Sequence, residues 1–184
     1  MTEAGAYVTN GQASATYRSA GMNLSGMPVG PAVSVPKEFL TFRLGAQEYG
    51  IDAQKVCEIR GCWELEGFED APACYAGALD FGGATVPVAD LRVLFELNRA
   101  ADSIFTVAII LDLDGRTLGL RVDSVSDVIR LARRQIRPVP ASWTGADAQY
   151  LIGVVTDDDR RLILLDIEKL VLGEGRDLLE IEAC

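Results

Sequence analysis

From Phe39 onward the chain is written in short apolar runs separated by turn signals. Phe39-Leu40-Thr41-Phe42-Arg43-Leu44 alternates as a half-buried strand should, Gly45-Ala46-Gln47 turns, and Glu48-Tyr49-Gly50-Ile51 resumes. Ile104 to Leu113 is a β-branched, nearly continuous run that predicts a further strand, and the Asp114-Gly115 that follows it is a strong hairpin signal. Leu118-Gly119-Leu120-Arg121-Val122-Asp123 returns to a period of two, and Leu162-Ile163-Leu164-Leu165 predicts a short buried strand. Helical spacing is confined to the stretches that follow two aspartates, Asp90 to Phe95 and Asp166 to Val171. Each carboxylate there is placed to cap a helix N-terminus. The pattern predicts a mostly β fold.

The pattern also occurs twice. With Gly50 laid on Gly119, Leu44 falls on Leu113, Val56 on Val125, Glu58 on Asp127 and Ile59 on Val128. With Gly77 laid on Gly153, Val86 falls on Leu162, Val88 on Leu164, Asp90 on Asp166 and Leu94 on Leu170. Each half then reads strand, hairpin, strand, further strand, hairpin, strand, short helix. About five short strands per unit suit a small, partly open barrel, so two packed barrels are expected. The first covers about 38–95 and the second about 104–165, with a C-terminal helix over about 166–172 and a tail over 173–184. Neither unit has a large core alone, so their mutual burial is expected to stabilise both. Residues 1–37 are rich in Gly, Ala, Ser and Pro, with charge only at Glu3, Arg18 and Lys37. A segment with so little to bury does not offset its ordering entropy and reads as a disordered N-terminal tail.

Composition narrows the function. Apolar residues make up 49% of the 184, enough for a genuine core. Asp and Glu number 27 against 17 Lys and Arg, a net charge of −10 that opposes nucleic-acid or anionic-lipid binding. The chain has no histidine, which removes the usual general base and every Ser-His or Cys-His arrangement. No phosphate loop, nucleophile elbow or Rossmann fingerprint occurs, so neither an enzyme nor a cofactor is expected. No apolar stretch approaches the roughly 20 residues needed to span a bilayer, and Met1 to Gly11 carries no secretory pattern. The expected compartment is the cytoplasm, with Cys57, Cys62, Cys74 and Cys184 as reduced thiols and no C-x-x-C metal or redox site.

Three local features raise chemical questions. Asp157-Asp158-Asp159 lacks the spacing of a calcium loop and reads as a solvated turn, so no metal is expected. Arg130, Arg133, Arg134 and Arg137 form a basic cluster in an acidic chain; Arg133, Arg134 and Arg137 are candidates for contact with an acidic partner, against the alternative of a solvated face. Pro87 cannot donate to a ladder, which predicts an edge strand or a strand with its free side outward.

Glu48-Tyr49-Gly50-Ile51-Asp52 followed by Lys55-Val56-Cys57-Glu58-Ile59-Arg60-Gly61 resembles the signature of the CheW family of chemotaxis coupling proteins. So do Val86-Pro87-Val88-Ala89-Asp90-Leu91-Arg92, Val122-Asp123-Ser124-Val125-Ser126-Asp127-Val128 and Leu162-Ile163-Leu164-Leu165-Asp166-Ile167-Glu168-Lys169-Leu170, in matching order over residues 38 to 172. The resemblance implies two tandem SH3-like five-stranded β-barrels with short helices, in agreement with the duplication. It further implies a non-catalytic adaptor that couples the cytoplasmic tip of a methyl-accepting chemoreceptor to the regulatory domain of a CheA-type histidine kinase. Such an adaptor sits in cytoplasmic arrays at the inner membrane without inserting into it. The alternative is a module of the same fold that competes with a typical coupler or serves a different receptor and kinase.

The resemblance also assigns residues. Val56, Glu58, Ile59, Val122, Ser124 and Val125 are candidates for a groove that takes the receptor's helical hairpin, a helix-in-groove mode. The competing reading puts Val56, Ile59, Val125 and Val128 in the barrel cores. Leu79, Gly82, Ala84 and Val86 are candidates for kinase contact. The family stretch Asn-Leu-Arg-Gly reads Asp80-Phe81-Gly82-Gly83 in this chain, so the arginine that the family pairs with the glutamate at Glu58 is absent and Glu58 is expected to lack that partner.

Overall fold

A computed structural model describes residues 35–67, 72–98, 103–143, 146–157 and 160–173. Of the expected tails over 1–37 and 173–184, residues 1–34 and 174–184 lie outside the described residues, as does the tip of the aspartate turn at 158–159. The chain forms β1 (Lys37–Leu44), β2 (Gln47–Asp52), β3 (Val56–Gly61), β4 (Tyr75–Phe81), β5 (Ala84–Asp90), α1 (Leu91–Leu94), β6 (Val107–Leu113), β7 (Arg116–Val122), β8 (Ser124–Leu131), β9 (Leu151–Asp157), β10 (Arg160–Leu165) and α2 (Ile167–Leu172). Single 3-10 turns at Ala53–Lys55, Cys62–Glu64, Arg133–Gln135 and Ala146–Tyr150 connect them. The fold is mostly β, with few short helices.

Local chemistry explains the boundaries. At the β6–β7 hairpin Asp114 and Gly115 take φ of 55° and 85°, the pair of positive angles that a two-residue turn requires, and Asp112 accepts the Gly115 N–H at 2.7 Å. Asp90 caps α1 by accepting the Arg92 N–H at 2.9 Å, and Asp166 caps α2 through the Lys169 N–H at 3.2 Å. The apolar run from Ile104 is shorter as a strand than its sequence suggests. The Ser103 N–H donates to the Thr106 hydroxyl at 2.9 Å and closes a turn, so Ile104 and Phe105 stay exposed and β6 starts at Val107.

The strands assemble into two five-stranded sheets, ordered β8-β1-β2-β10-β9 and β3-β6-β7-β5-β4. The contiguous division into barrels over 38–95 and 104–165 therefore gives way to an exchange. The first half contributes β1 and β2 to one sheet and β3, β4 and β5 to the other; the second half does the reverse with β6, β7 and β8 to β10. The turn at Ala53–Lys55 carries the chain across after β2, and Asp123 carries it back after β7. Each barrel closes where the continuation of its outer strand meets the opposite edge, Glu66 against Ala78 and Arg137 against Val154. Pro87 lies opposite Ala78 in β5, an inner strand between β4 and β7 and not an edge, and pairing with β7 begins only at Val88.

Burial follows this exchange. The largest apolar cluster draws Phe42, Ile51 and Ile163 from the first sheet, Ile109, Leu111 and Leu120 from the second, and Leu91, Leu94, Ile167 and Leu170 from the helices. Smaller clusters occupy each barrel: Phe39, Leu131, Val155, Leu162 and Leu164 in one, Leu79, Val88, Ala108 and Ile110 in the other. Successive side chains of β6 from Ala108 to Leu111 thus enter different clusters, which explains that apolar stretch. The mutual burial expected of the two halves is the main core. Cys57 and Cys62 form no disulfide, whereas Cys74 is disulfide-bonded, a correction to the expectation that all four cysteines are reduced.

Candidate functional site

β8 and β3, the duplicated segments, each stand at the edge of a sheet. Val56 lies opposite Leu111 and Val125 opposite Phe42, and both valines are half-buried against the central core. Ile59 and Val128, three residues further on, are 41% and 49% exposed. The core reading therefore applies to the first member of each pair, which packs inward, and not to the second, which faces out. Between them Glu58 and Asp127 are exposed, and an acid on an edge strand opposes pairing with a second chain. Ser124 is half-buried opposite Arg43.

Glu58 does not go without a partner. It accepts from Arg60 at 3.3 Å, and Arg60 also donates through Nε to Glu64 at 3.0 Å. The carboxylate of Glu64 and, behind it, that of Glu58 hold the Arg60 guanidinium above its ordinary pKa. A cation two residues along the same strand thus replaces one expected from another hairpin.

Burial removes three of the sequence candidates. Val122 is 1% exposed and belongs to the central core. Leu79 and Val86 are register partners on β4 and β5, each 2% exposed, with side chains on the inner face of the sheet. A side chain enclosed to that degree cannot reach a partner without opening the barrel. Gly82 and Ala84 are exposed at the β4–β5 hairpin, where Gly82 and Gly83 take φ of 63° and 85°. Arg133 and Arg134 are exposed in the 3-10 turn after β8, and Arg137 is exposed beyond it. Arg130 pairs with Glu38 at 2.7 Å.

Other exposed apolar residues escaped the sequence reading. Gly61 pairs with Val107, and the Cys62 N–H donates to the Thr106 carbonyl at 3.3 Å, so Trp63 and Phe105 share one end of the second sheet. They are 75% and 66% exposed. The available signal was a break in the duplication: Trp63 falls on Ala132, a large apolar residue without a counterpart.

Buried charge braces the scaffold. Asp90 pairs with Arg121 across the parallel β5–β7 ladder. Glu48 is 7% exposed and accepts from Arg43 and Arg160 at 3.0–3.2 Å. Burial alone would raise its pKa, but the two guanidiniums outweigh it and hold the carboxyl below its ordinary range. Lys55, in the turn that crosses between sheets, pairs with Glu168 of α2 at 2.6 Å. No cluster of three or more metal-ligating side chains occurs among the described residues. None of their helices is long and apolar enough to cross a membrane.

Two strand-exchanged barrels that present apolar side chains and balanced charge on their edge strands define a binding scaffold of the double SH3-like class. The CheW-like domain model matches residues 38–174, and the chain belongs to that family of chemotaxis scaffold proteins. It is 41% identical over 147 residues to the chemotaxis protein CheW of Klebsiella aerogenes, covering 80% of this chain and 89% of that one. Identity to the chemotaxis protein CheW of Treponema pallidum is 31% over 137 residues, 72% of this chain and 81% of the relative. The scaffolding protein TtCheW from Thermoanaerobacter tengcongensis superposes with a TM-score of 0.68 at 27% identity, over 77% of this chain and 97% of that one.

Proposed function

We propose that this chain couples the cytoplasmic tip of a methyl-accepting chemoreceptor to the regulatory domain of a CheA-type kinase, within cytoplasmic arrays at the inner membrane. The observation that carries the reading is the exposed Ile59 on an edge strand, next to Val56 and Glu58, in a chain of this family. An apolar side chain flanked by charge on an accessible strand suits the apolar face of a receptor helix. Ser124 and Val125, half-buried on the duplicated strand, complete the receptor-facing set. The kinase-facing set is the β4–β5 hairpin at Gly82 and Ala84. No catalytic step is required of such a scaffold, and the chain serves by bridging.

Separate binding measurements against a receptor-tip fragment and an isolated kinase regulatory domain test this. Binding to both is expected, with Ile59→Asp losing the receptor tip while its thermal midpoint stays native. Binding to neither overturns the proposal. Binding to one alone overturns coupling and marks a competitor of a typical coupler.

A further inference from the structure

A cavity of about 460 Å³ opens between β8, β9, β10 and the turn at Arg133–Gln135. Its apolar part is Ile129, half-buried, with Leu131, Val155 and Leu162, each at most 7% exposed and part of that barrel's own core. Arg130, Arg134, Arg137 and Arg160 also line it. Two of the four are already matched, Arg130 by Glu38 at 2.7 Å and Arg160 by Glu48 at 3.0 Å. The Arg134 and Arg137 side chains have no ion-pair or hydrogen-bond partner among the described residues. Glu48 also lines the cavity, but Arg43 and Arg160 both donate to it. Two arginines without a matched acid therefore line a concave space in a chain of net charge −10.

We propose that this barrel mouth binds a small organic anion, a phosphate or carboxylate group attached to a compact apolar body. Mouths of β-barrels with apolar walls and a few convergent polar groups are habitual ligand sites, and volumes of about 300–1,000 Å³ are typical of them. The planar fork of each arginine suits phosphate or carboxylate oxygens. The placement of Arg133 separates this reading from a diffuse basic surface. It is exposed, like its neighbour Arg134, and adjacent in sequence, yet it does not line the cavity. A flat acidic partner would engage both; an anion in the cavity engages Arg134 and Arg137 alone. The site is independent of the coupling role proposed above.

The test is calorimetric titration of the full chain with phenyl phosphate, benzoate and inorganic phosphate, repeated at low and high salt. Saturable binding of phenyl phosphate or benzoate is expected, and which of the two binds more tightly identifies the anionic group. Arg134→Gln with Arg137→Gln should weaken it by about ten- to a hundredfold, because each removes a charge-assisted hydrogen bond. Arg133→Gln should leave it within about twofold, and the exposed positions leave the thermal midpoint unchanged. An absence of saturable binding overturns the proposal. So does an equal loss in Arg133→Gln, which would mean a diffuse basic surface. Inorganic phosphate binding as tightly as phenyl phosphate would mean an adventitious ion only, and would overturn it as well.

Discussion

Arg92 grips Asp123 with two nitrogens: Nε donates to Oδ1 at 2.6 Å and a terminal nitrogen donates to Oδ2. The same Oδ2 accepts the Gly45 N–H at 2.6 Å. One carboxylate thus joins α1, the β1–β2 turn and the single residue by which the chain crosses back between sheets. Burial pushes the Asp123 carboxyl up, but Arg92 and the Gly45 amide overcome this and hold it below its ordinary value.

A carboxyl with a depressed folded pKa contributes stability that is present at neutral pH and lost as pH falls through that pKa. Asp123→Asn should therefore lower stability at pH 7 by about 1–2 kcal/mol, reduced from a fully buried pair because the site is partly exposed. On acidification below about pH 4 the gap between wild type and variant should narrow. Thermal unfolding over a pH series checks this; parallel curves would refute the linkage.

Depth decides what an aspartate does on the proposed receptor face. Val122→Asp places a charge where 1% of the residue is exposed, and should cost more than about 3 kcal/mol or prevent folding. Ile59→Asp, at an exposed edge position, should change stability by less than about 1 kcal/mol. Val56→Asp should fall between the two, since its side chain packs on the central core from the rim. Chemical denaturation of the three variants gives the order, and an Ile59→Asp as damaging as Val122→Asp would contradict the assignment.

At the β4–β5 hairpin, Gly82→Arg meets open space but a φ of 63°. The left-handed region costs a non-glycine residue roughly 1–2 kcal/mol, so a loss of that size is expected. Because Arg60 already serves Glu58, the double-mutant cycle of Gly82→Arg with Glu58→Ala should show a coupling below about 0.5 kcal/mol in stability. A larger coupling would show that the new arginine displaces Arg60.

Strand positions, helix caps and hairpins were legible because each is set by neighbours in sequence: the Asp114-Gly115 turn and the Asp90 and Asp166 caps stand where their residue types require. Partner choice was not legible. The duplicated order marks β3 as a strand, but whether it pairs within its own half or with β6 of the other half is settled by long-range packing. The duplication showed which residues are equivalent, not which halves they join. Burial failed for a related reason. Val122 and Val125 read alike as apolar residues in one segment, and the crossing at Asp123 places the first in the core and the second at its rim. Arg60 as partner of Glu58 was visible two residues away, but the family pairing pointed elsewhere.

The strand exchange has a signature that can be tested at Gly119. In the parallel ladders Gly119 lies opposite Val88, and its duplicate Gly50 lies opposite Leu164, so each glycine of one half rests on a strand of the other. A Cβ on Gly119 would come within 2.6 Å of Val88 Cγ2 and 3.3 Å of Ile110 Cδ1; one on Gly50 would meet Leu164 Cδ2 at 2.9 Å. Valine is held at χ1 by its branch, whereas a leucine methyl lies beyond two rotatable bonds. Gly119→Ala should therefore cost about 1–3 kcal/mol through overpacking, and Gly50→Ala less. Adding Val88→Ala removes the clashing methyl. The double variant Gly119→Ala with Val88→Ala should be less destabilised than the sum of its parts by about 0.5–3 kcal/mol, the range for residues in direct contact. Chemical denaturation of the four proteins measures the coupling. Strict additivity would mean that these side chains do not meet, and that the second half of the chain does not pack on β5 in this register.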